Sequence, residues 1–357
     1  MEIRKDFWKN RNVLITGHTG FKGSWLSLWL QAYGANLSGI ALAPDDGLSL
    51  FRIAGVAERM KHNVIDIRNY NELQNSINDI KPEIIFHMAA QPFVRKSYLE
   101  PIETYETNVI GTVNLLEASR KCNTVKAVVN ITTDKCYENF EITRGYKEDD
   151  RMGGYDPYSS SKACAELVSA AYRNSFLKNE GISMATVRAG NVIGGGDWSD
   201  DRLVPDILNS LELNKDIYVR NPDAVRPWQH VLEPLSGYLF LAEKLYTDKN
   251  TIYADGWNFG PNDEDAKSVR WIVNNMLSIW GSNKKLCKQP GNHPHEASYL
   301  KLDISKAKKH LNWYPRLSLN EALNYIVDWH KSFLAGEDIK LKTLEQIEKY
   351  STLISKK

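Results

Sequence analysis

The chain has 357 residues, enough for two hydrophobic cores or for one large core carrying a smaller lobe. Lys and Arg number 45 against 44 Asp and Glu, so no large field draws the surface to nucleic acid or to an anionic membrane, and any anionic ligand must be held by local groups. The hydrophobic fraction of 42% is ordinary for a globular protein, and no apolar run approaches the roughly 20 residues of a membrane helix. Residues 1–12 are charged and lead straight into Val13, Leu14 and Ile15, without the apolar stretch and cleavage site of an export signal, so a cytoplasmic location is expected. From there short apolar runs at 12–15, 37–42, 63–65, 84–87, 127–131 and 184–187 read as buried strands. Between them, 22–33, 70–80, 105–121 and 158–176 carry apolar residues at helical spacing, and Gly34 suits a C-terminal cap. This alternation predicts a doubly wound parallel α/β sheet.

After Gly190 the pattern loosens into loops rich in Gly, Asp and Pro, interrupted by helical stretches at 235–245 and 269–280. We therefore expect a Rossmann-type domain over 1–190 and a smaller, mainly substrate-binding lobe over 191–357, with some of the latter packing back on the sheet. The tail, 339–357, is rich in Lys and Glu and reads as a solvated surface helix. Cys122, Cys136, Cys164 and Cys287 are scattered, with no Cys-x-x-Cys pair and no clustered His, which predicts reduced thiols and no metal site. Cys136 lies beside the catalytic residues argued below, but a small buried cysteine is the commoner case.

Gly17-His18-Thr19-Gly20-Phe21-Lys22-Gly23 follows the first strand and opens the first helix. One glycine permits a tight turn, a second lets the backbone approach a pyrophosphate and a third brings helix and sheet together, with the helix N-terminal amides facing the anion. The context, more than the glycines themselves, predicts dinucleotide binding. The acidic residue that would hold the adenosine ribose is missing from the end of the second strand, Leu42-Ala43-Pro44, with Asp45 and Asp46 a little beyond, so the choice between NAD and NADP stays open at this point. Lys22 and Arg52 are candidate phosphate contacts.

Tyr158 and Lys162 stand four residues apart on one face of a predicted helix, and a nearby cation favours phenolate, so Tyr158 can act as a base. Thr133 closes the preceding strand, and strand C-termini line the cofactor crevice of a parallel sheet, which lets Thr133 share the substrate hydroxyl with Tyr158. The glycine loop, His87-Met88-Ala89-Ala90-Gln91, Thr107-Asn108-Val109-Ile110-Gly111-Thr112, the Thr-Tyr-Lys set and Arg188-Ala189-Gly190-Asn191-Val192 occur in that order. Over almost its whole length the chain thereby resembles the extended short-chain dehydrogenases that act on nucleotide sugars. The resemblance implies NAD as cofactor, with Asp66 and Ile67 at the adenine, Ala89 and Ala90 beside the nicotinamide, Asn108 ordering the catalytic helix and contributing to the cofactor site, and Asn191 on the nucleotide sugar. It also implies a homodimer through the 105–121 and 158–176 helices, although apolar faces there would equally suit intrachain core.

Asp134-Lys135, directly after Thr133, narrows the reaction. An epimerase only removes and returns hydride at one carbon, whereas a dehydratase also needs an acid and a base to eliminate water. Hexose 4,6-dehydratases usually carry Asp-Glu here. The string 132–139 followed by 153–158 is similar to the members that dehydrate CDP-glucose, which makes that nucleotide sugar the expected substrate. By the same resemblance Arg202 and Arg226 clamp the diphosphate, in keeping with the bidentate reach of guanidinium, and Tyr299 contacts the nucleotide. Trp198 and Trp228 read equally as pocket wall or core. The expected chemistry has Tyr158 as the C4 hydroxyl base, Lys135 as the C5 base, neutral through burial or through nearby Lys162, and Asp134 as the protonated donor to the C6 hydroxyl. The rivals are a 4-epimerase, a dehydratase of another nucleotide hexose and, from a different class, a non-enzymatic cofactor-binding regulator.

Overall fold

The computed structural model describes residues 2–44, 46–248, 251–290 and 299–355, so Asp45 and the last two residues lie outside the described residues. Seven strands form one sheet in the order β7-β6-β5-β4-β1-β2-β3: β1 (Asn12–Thr16), β2 (Asn36–Ala41), β3 (Lys61–Val64), β4 (Ile84–His87), β5 (Ala127–Ile131), β6 (Ser183–Arg188) and β7 (Gly256–Asn258). Every pairing is parallel. The chain runs outward from β1 to β3 and then from β4 away in the opposite direction. The strand order therefore reverses between β1 and β4, and the crevice at their C-terminal ends is where such sheets bind ligands.

Five of the expected strands are buried on both faces, as the apolar runs require, and β5 is buried at all five positions. The exception is β3. It is the sheet edge, and Val64 is 58% exposed where the sequence suggested a buried strand. Helix α1 (Phe21–Ala32) leaves Gly20 with no side-chain cap, whereas α2 (Tyr70–Ile80) starts on the Asn69 side chain. The predicted 105–121 helix is interrupted. A π-turn at Glu106–Ile110 precedes α3 (Gly111–Arg120), and such turns inside helices often occur at functional sites. In α4 (Pro157–Tyr172) proline takes the first turn, while the Asp156 carboxylate accepts Ser159 N and Ser159 Oγ at 2.9 and 2.7 Å, fixing where the helix begins.

The second half of the chain builds two things. Helices α5 (Leu203–Glu212), α7 (Val269–Trp280) and α8 (Leu319–Leu334) enclose a separate core around Ile207, Leu208, Ile272, Met276, Leu323 and Ile326. Strand β7 and α6 (Leu232–Thr247), by contrast, complete the main sheet and its cover, and Trp257, Tyr238 and Phe259 join the large core. Helix α9 (Ile339–Ser355) corrects the expectation of a solvated tail: it buries Ile339, Thr343, Ile347, Tyr350 and Ile354, and Tyr350 meets Trp29 of α1 edge-on at 5.9 Å. Those residues recur every three or four positions, so the many Lys and Glu residues occupy only the opposite face.

Glu233 pins this arrangement from the inside. Fully buried in α6, it accepts Arg316 N at 2.9 Å, Leu317 N at 2.7 Å and Tyr350 OH at 2.6 Å, and burial pushes its carboxyl up to about 7. A carboxyl whose folded pKa exceeds its ordinary value of 4.5 binds more proton in the native state, so its contribution to stability is complete below that value and is lost as pH rises toward 7. We predict that denaturant unfolding between pH 4.5 and 8 shows the wild-type chain losing about 3 kcal/mol relative to Glu233→Gln. Parallel pH profiles for the two proteins would contradict the assignment.

Candidate active site

A cleft of about 2160 Å³ opens over the C-terminal ends of the strands and runs from Leu42 and Asp66 at one end to Tyr218 and Arg226 at the other. Gly17, Thr19, Gly20, Phe21, Lys22 and Gly23 line it. Gly17 has φ +74° and a side chain there would meet Ala89 N at 2.7 Å, while one at Gly23 would lie 2.3 Å from Gly17 O. The backbone is thus drawn close to the sheet and the uncapped amides of α1 face open space, a cradle that fits a dinucleotide pyrophosphate. His18 turns the other way, its Nε2 2.7 Å from His62 Nδ1, and burial followed by the charge of His62 lowers it to about 4.

Lys22 is not the solvated cation its residue type suggests. It projects into the cleft, where burial and then the charges of Lys162 and Arg202 lower it to about 7. Arg52 instead donates to Pro44 O and Asp46 and does not line the cleft. Asp66 and Ile67 line the far end, with Asp66 paired to Arg68 at 2.6 Å; Ala89 and Ala90 line the floor. Asn108 is placed differently from a cofactor contact: it is buried outside the cleft, donates to Gln91 O and Ser161 Oγ and accepts Gln91 N at 2.8 Å. With both amide atoms committed, it ties the loop after β4 to α4.

Thr133, Asp134, Lys135 and Tyr158 meet on one wall. Thr133 Oγ1 donates to Asp134 Oδ1 at 3.0 Å, and the Thr133 hydroxyl lies beside the Tyr158 phenol. Burial pushes Tyr158 up to about 12, with the Thr133 hydroxyl pulling the other way. The expectation that Lys162 lowers it is not met, because Lys162 Nζ is turned to Ile131 O at 3.2 Å and is itself lowered to about 8 by burial. Burial also raises Asp134, the direction a proton donor needs. Lys135 is exposed on the cleft wall, so the burial expected of it is not found. Cys136 is fully buried and its thiol is pushed up by that burial, an inert core cysteine.

Space for Asp134 comes from a glycine. A side chain at Gly190 would lie 1.9 Å from Asp134 Oδ2. We predict that Gly190→Ala displaces the carboxyl and lowers turnover about 100-fold or more while nucleotide-sugar binding by calorimetry persists. Unchanged turnover would contradict this placement of Asp134.

Asn191 lines the cleft with φ 37°, a left-handed conformation that asparagine adopts more readily than other residues with a side chain. Arg202 and Arg226 also face the cleft. Arg202 is held 3.0 Å from Asp197 and lies over the Phe93 ring, and Arg226 sits on the short strand Val225–Pro227, paired with Ala266–Ser268. Tyr299 is not brought in: its hydroxyl donates to Thr143 O at 3.3 Å and Leu300 takes the lining position. Trp198 and Trp228 both line the wall and pack inward, Trp198 on Trp329 and Trp228 through Nε1 to Lys267 O. Sequence reasoning missed Asp197 and Phe93, which steady Arg202, and Glu166, one turn beyond Lys162 on the buried face of α4. Glu166 did carry a signal, a carboxylate at i+4 from a buried lysine. No group of His, Cys, Asp and Glu suited to a metal ion occurs among the described residues.

A doubly wound sheet with a glycine-built turn at its reversal point and a Tyr-x-x-x-Lys helix facing a strand-end threonine defines an enzyme of the extended short-chain dehydrogenase/reductase type. Residues 14–326 match the GDP-mannose 4,6 dehydratase family, and the chain belongs to that family. A CDP-glucose 4,6-dehydratase of Salmonella typhimurium is 55% identical over 353 residues, covering 98% of each chain, and a dTDP-glucose 4,6-dehydratase of Haemophilus influenzae is 23% identical over 89% of this chain and 97% of its own. Among solved structures, the UDP-glucose 4-epimerase of Thermotoga maritima with UDP-glucose superposes with a TM-score of 0.80 at 22% identity, covering 90% of this chain and 99% of its own. The dTDP-glucose 4,6-dehydratase of Bacillus anthracis in complex with NAD gives 0.75 at 23%, covering 90% and 97%. At those identities the structural likeness speaks for the fold. Among the described residues no helix is long and apolar enough to cross a membrane.

Proposed function

We propose that the chain converts CDP-glucose to CDP-4-keto-6-deoxyglucose with bound NAD, as a cytoplasmic homodimer. The observation that carries this reading is the 55% identity, end to end, with a CDP-glucose 4,6-dehydratase. The wall formed by Thr133, Asp134, Lys135 and Tyr158 supports it chemically. Gly17, Gly20, Lys22, Gly23, Asp66, Ile67, Ala89 and Ala90 would hold the dinucleotide, which supplies the two-electron acceptor at C4 and gives the same electrons back at C6, so that no net redox occurs. Asn191, Arg202 and Arg226 hold the nucleotide sugar.

Tyr158, beside Thr133, acts as phenolate, a form that the positive charge of a bound oxidised nicotinamide would favour, and takes the proton of the C4 hydroxyl as that carbon is oxidised. The C4 ketone makes the C5 proton acidic, and Lys135, in its neutral amine form, removes it and becomes the ammonium. Asp134, kept protonated by burial, delivers its proton to the C6 hydroxyl, which leaves as water, and C5 is later reprotonated. Ile102, Tyr105 and Ile110, with Leu167 of α4, are exposed apolar residues on and beside the two helices expected to pair, which supports the dimer. Incubation with CDP-, dTDP-, UDP- and GDP-glucose tests the substrate: the 4-keto-6-deoxy product forms fastest from CDP-glucose. Preference for another nucleotide, or a C4 epimer as product, would overturn the reading.

A further inference from the structure

Beneath the cleft lies a polar network that the proposed steps leave unused. Glu166 is buried one turn after Lys162 on α4. Its Oε1 accepts Thr132 Oγ1 at 2.5 Å and Arg188 Nε at 2.8 Å, and its Oε2 accepts Thr186 Oγ1 at 2.6 Å and Arg188 Nη2 at 2.8 Å. Arg188 in turn donates through Nη1 to Tyr137 OH at 2.6 Å and to Glu148 O at 3.0 Å, and Tyr137 OH donates to Asn258 Oδ1 at 2.8 Å. One carboxylate therefore ties α4 to the ends of β5 and β6 with charge-assisted bonds, which are shorter and stronger than neutral ones. Thr132, its tether, immediately precedes Thr133, Asp134 and Lys135.

We infer that Glu166 is a positioning residue of this site, holding the 132–135 segment against α4 through Thr132 and holding Lys162 as an ammonium through its charge. This rests on the reading of Thr133, Asp134, Lys135 and Tyr158 as the groups that carry out the proton transfers. Two considerations make the carboxylate more than a structural brace. Burial works to raise Glu166, but Arg188 and the bonds from Thr132 and Thr186 overcome it, so the group stays ionised inside the protein. Lys162 is pulled down by its own burial, and Glu166 is the foremost charge opposing that, followed by Cys136. The other groups that sense Lys162 are Lys22 from α1 and His87 on β4, and neither supplies a negative charge. Without Glu166 the ammonium would stand in a buried site with Lys22 as its charged neighbour.

The two roles separate experimentally. Protein labelled with carbon-13 at lysine Cε is titrated by NMR without added substrate, with the Lys162 signal assigned through Lys162→Arg. In Glu166→Gln the Lys162 midpoint falls by at least about one pH unit, because the foremost charge favouring its ammonium has been removed. Thr132→Val keeps the charge and cuts the tether. There kcat falls about tenfold or more with KM little changed, the mark of misplaced reacting groups, and the Lys162 midpoint does not move. If Glu166→Gln does not fold because Arg188 is stranded, the double variant Glu166→Gln, Arg188→Leu replaces it with the same expected fall. An unmoved Lys162 midpoint, or wild-type kcat in Thr132→Val, overturns the inference. Absence of dehydration by the wild-type protein would instead overturn the functional reading on which it stands.

Discussion

Tyr158→Phe lowers turnover of CDP-glucose by about a thousandfold, the scale of a positioned proton acceptor, and leaves calorimetric binding of the nucleotide sugar nearly intact. The phenol oxygen is the only atom lost. The ring stays packed at the start of α4, whose N-terminus is set by Asp156 and Pro157, and the Thr133 hydroxyl keeps its bond to Asp134. Burial pushes the Tyr158 phenol up to about 12, so it must shed its own proton before it can take the substrate's, and loss of the hydroxyl falls on kcat and not on binding. Turnover near the wild-type rate in this variant would remove Tyr158 from the mechanism.

Lys135→Met separates the two halves of the reaction. Oxidation at C4 uses Tyr158, so it still occurs, and absorbance near 340 nm, about where reduced nicotinamide absorbs, builds up on mixing with CDP-glucose. Elimination stalls. No 4-keto-6-deoxy product forms and C5–H does not exchange with deuterated solvent. Lys135 is exposed on the cleft wall, so its replacement by Met leaves the buried packing around Asp134 and Tyr158 in place. Exchange at C5 in the Met variant would assign the base elsewhere, and loss of the first oxidation would tie Lys135 to the Tyr158 step.

Legibility in the sequence followed the length over which each signal is averaged. Strands such as β5, with its five consecutive buried residues, announce a fully covered parallel sheet, and the glycine loop between β1 and α1 announces the reversal point. Strand β7 does not, because three residues are too few for a period and Trp257 acquires its meaning only beside β6. Helix α8 went unread although it begins with a capping box, Ser318 and Glu321 satisfying each other's backbone. In α9 composition misled where spacing would have served.

The candidate site shows the same division. Thr133, Asp134 and Lys135 are contiguous, and Tyr158 and Lys162 are one helical turn apart, so their meeting follows from a strand end and a helix start. Glu166, Asp197 and Gly190 matter through partners distant in the chain: Arg188 for the first, Arg202 for the second, the Asp134 carboxylate for the third. Environment was the least legible property. The exposure of Lys135, the internal commitments of Asn108 and the outward placement of Tyr299 depend on packing that no local pattern encodes.

The central claim, that C4 oxidation and C6 deoxygenation are two ends of one internal transfer on a single wall of the cleft, is tested most directly by labelling the substrate. CDP-glucose carrying deuterium at C4 is converted and the product examined by NMR and mass spectrometry. The account predicts CDP-4-keto-6-deoxyglucose with the deuterium at C6, whereas deuterium retained at C4 of an epimerised sugar, or a deoxy product from which it has been lost to solvent, would contradict it.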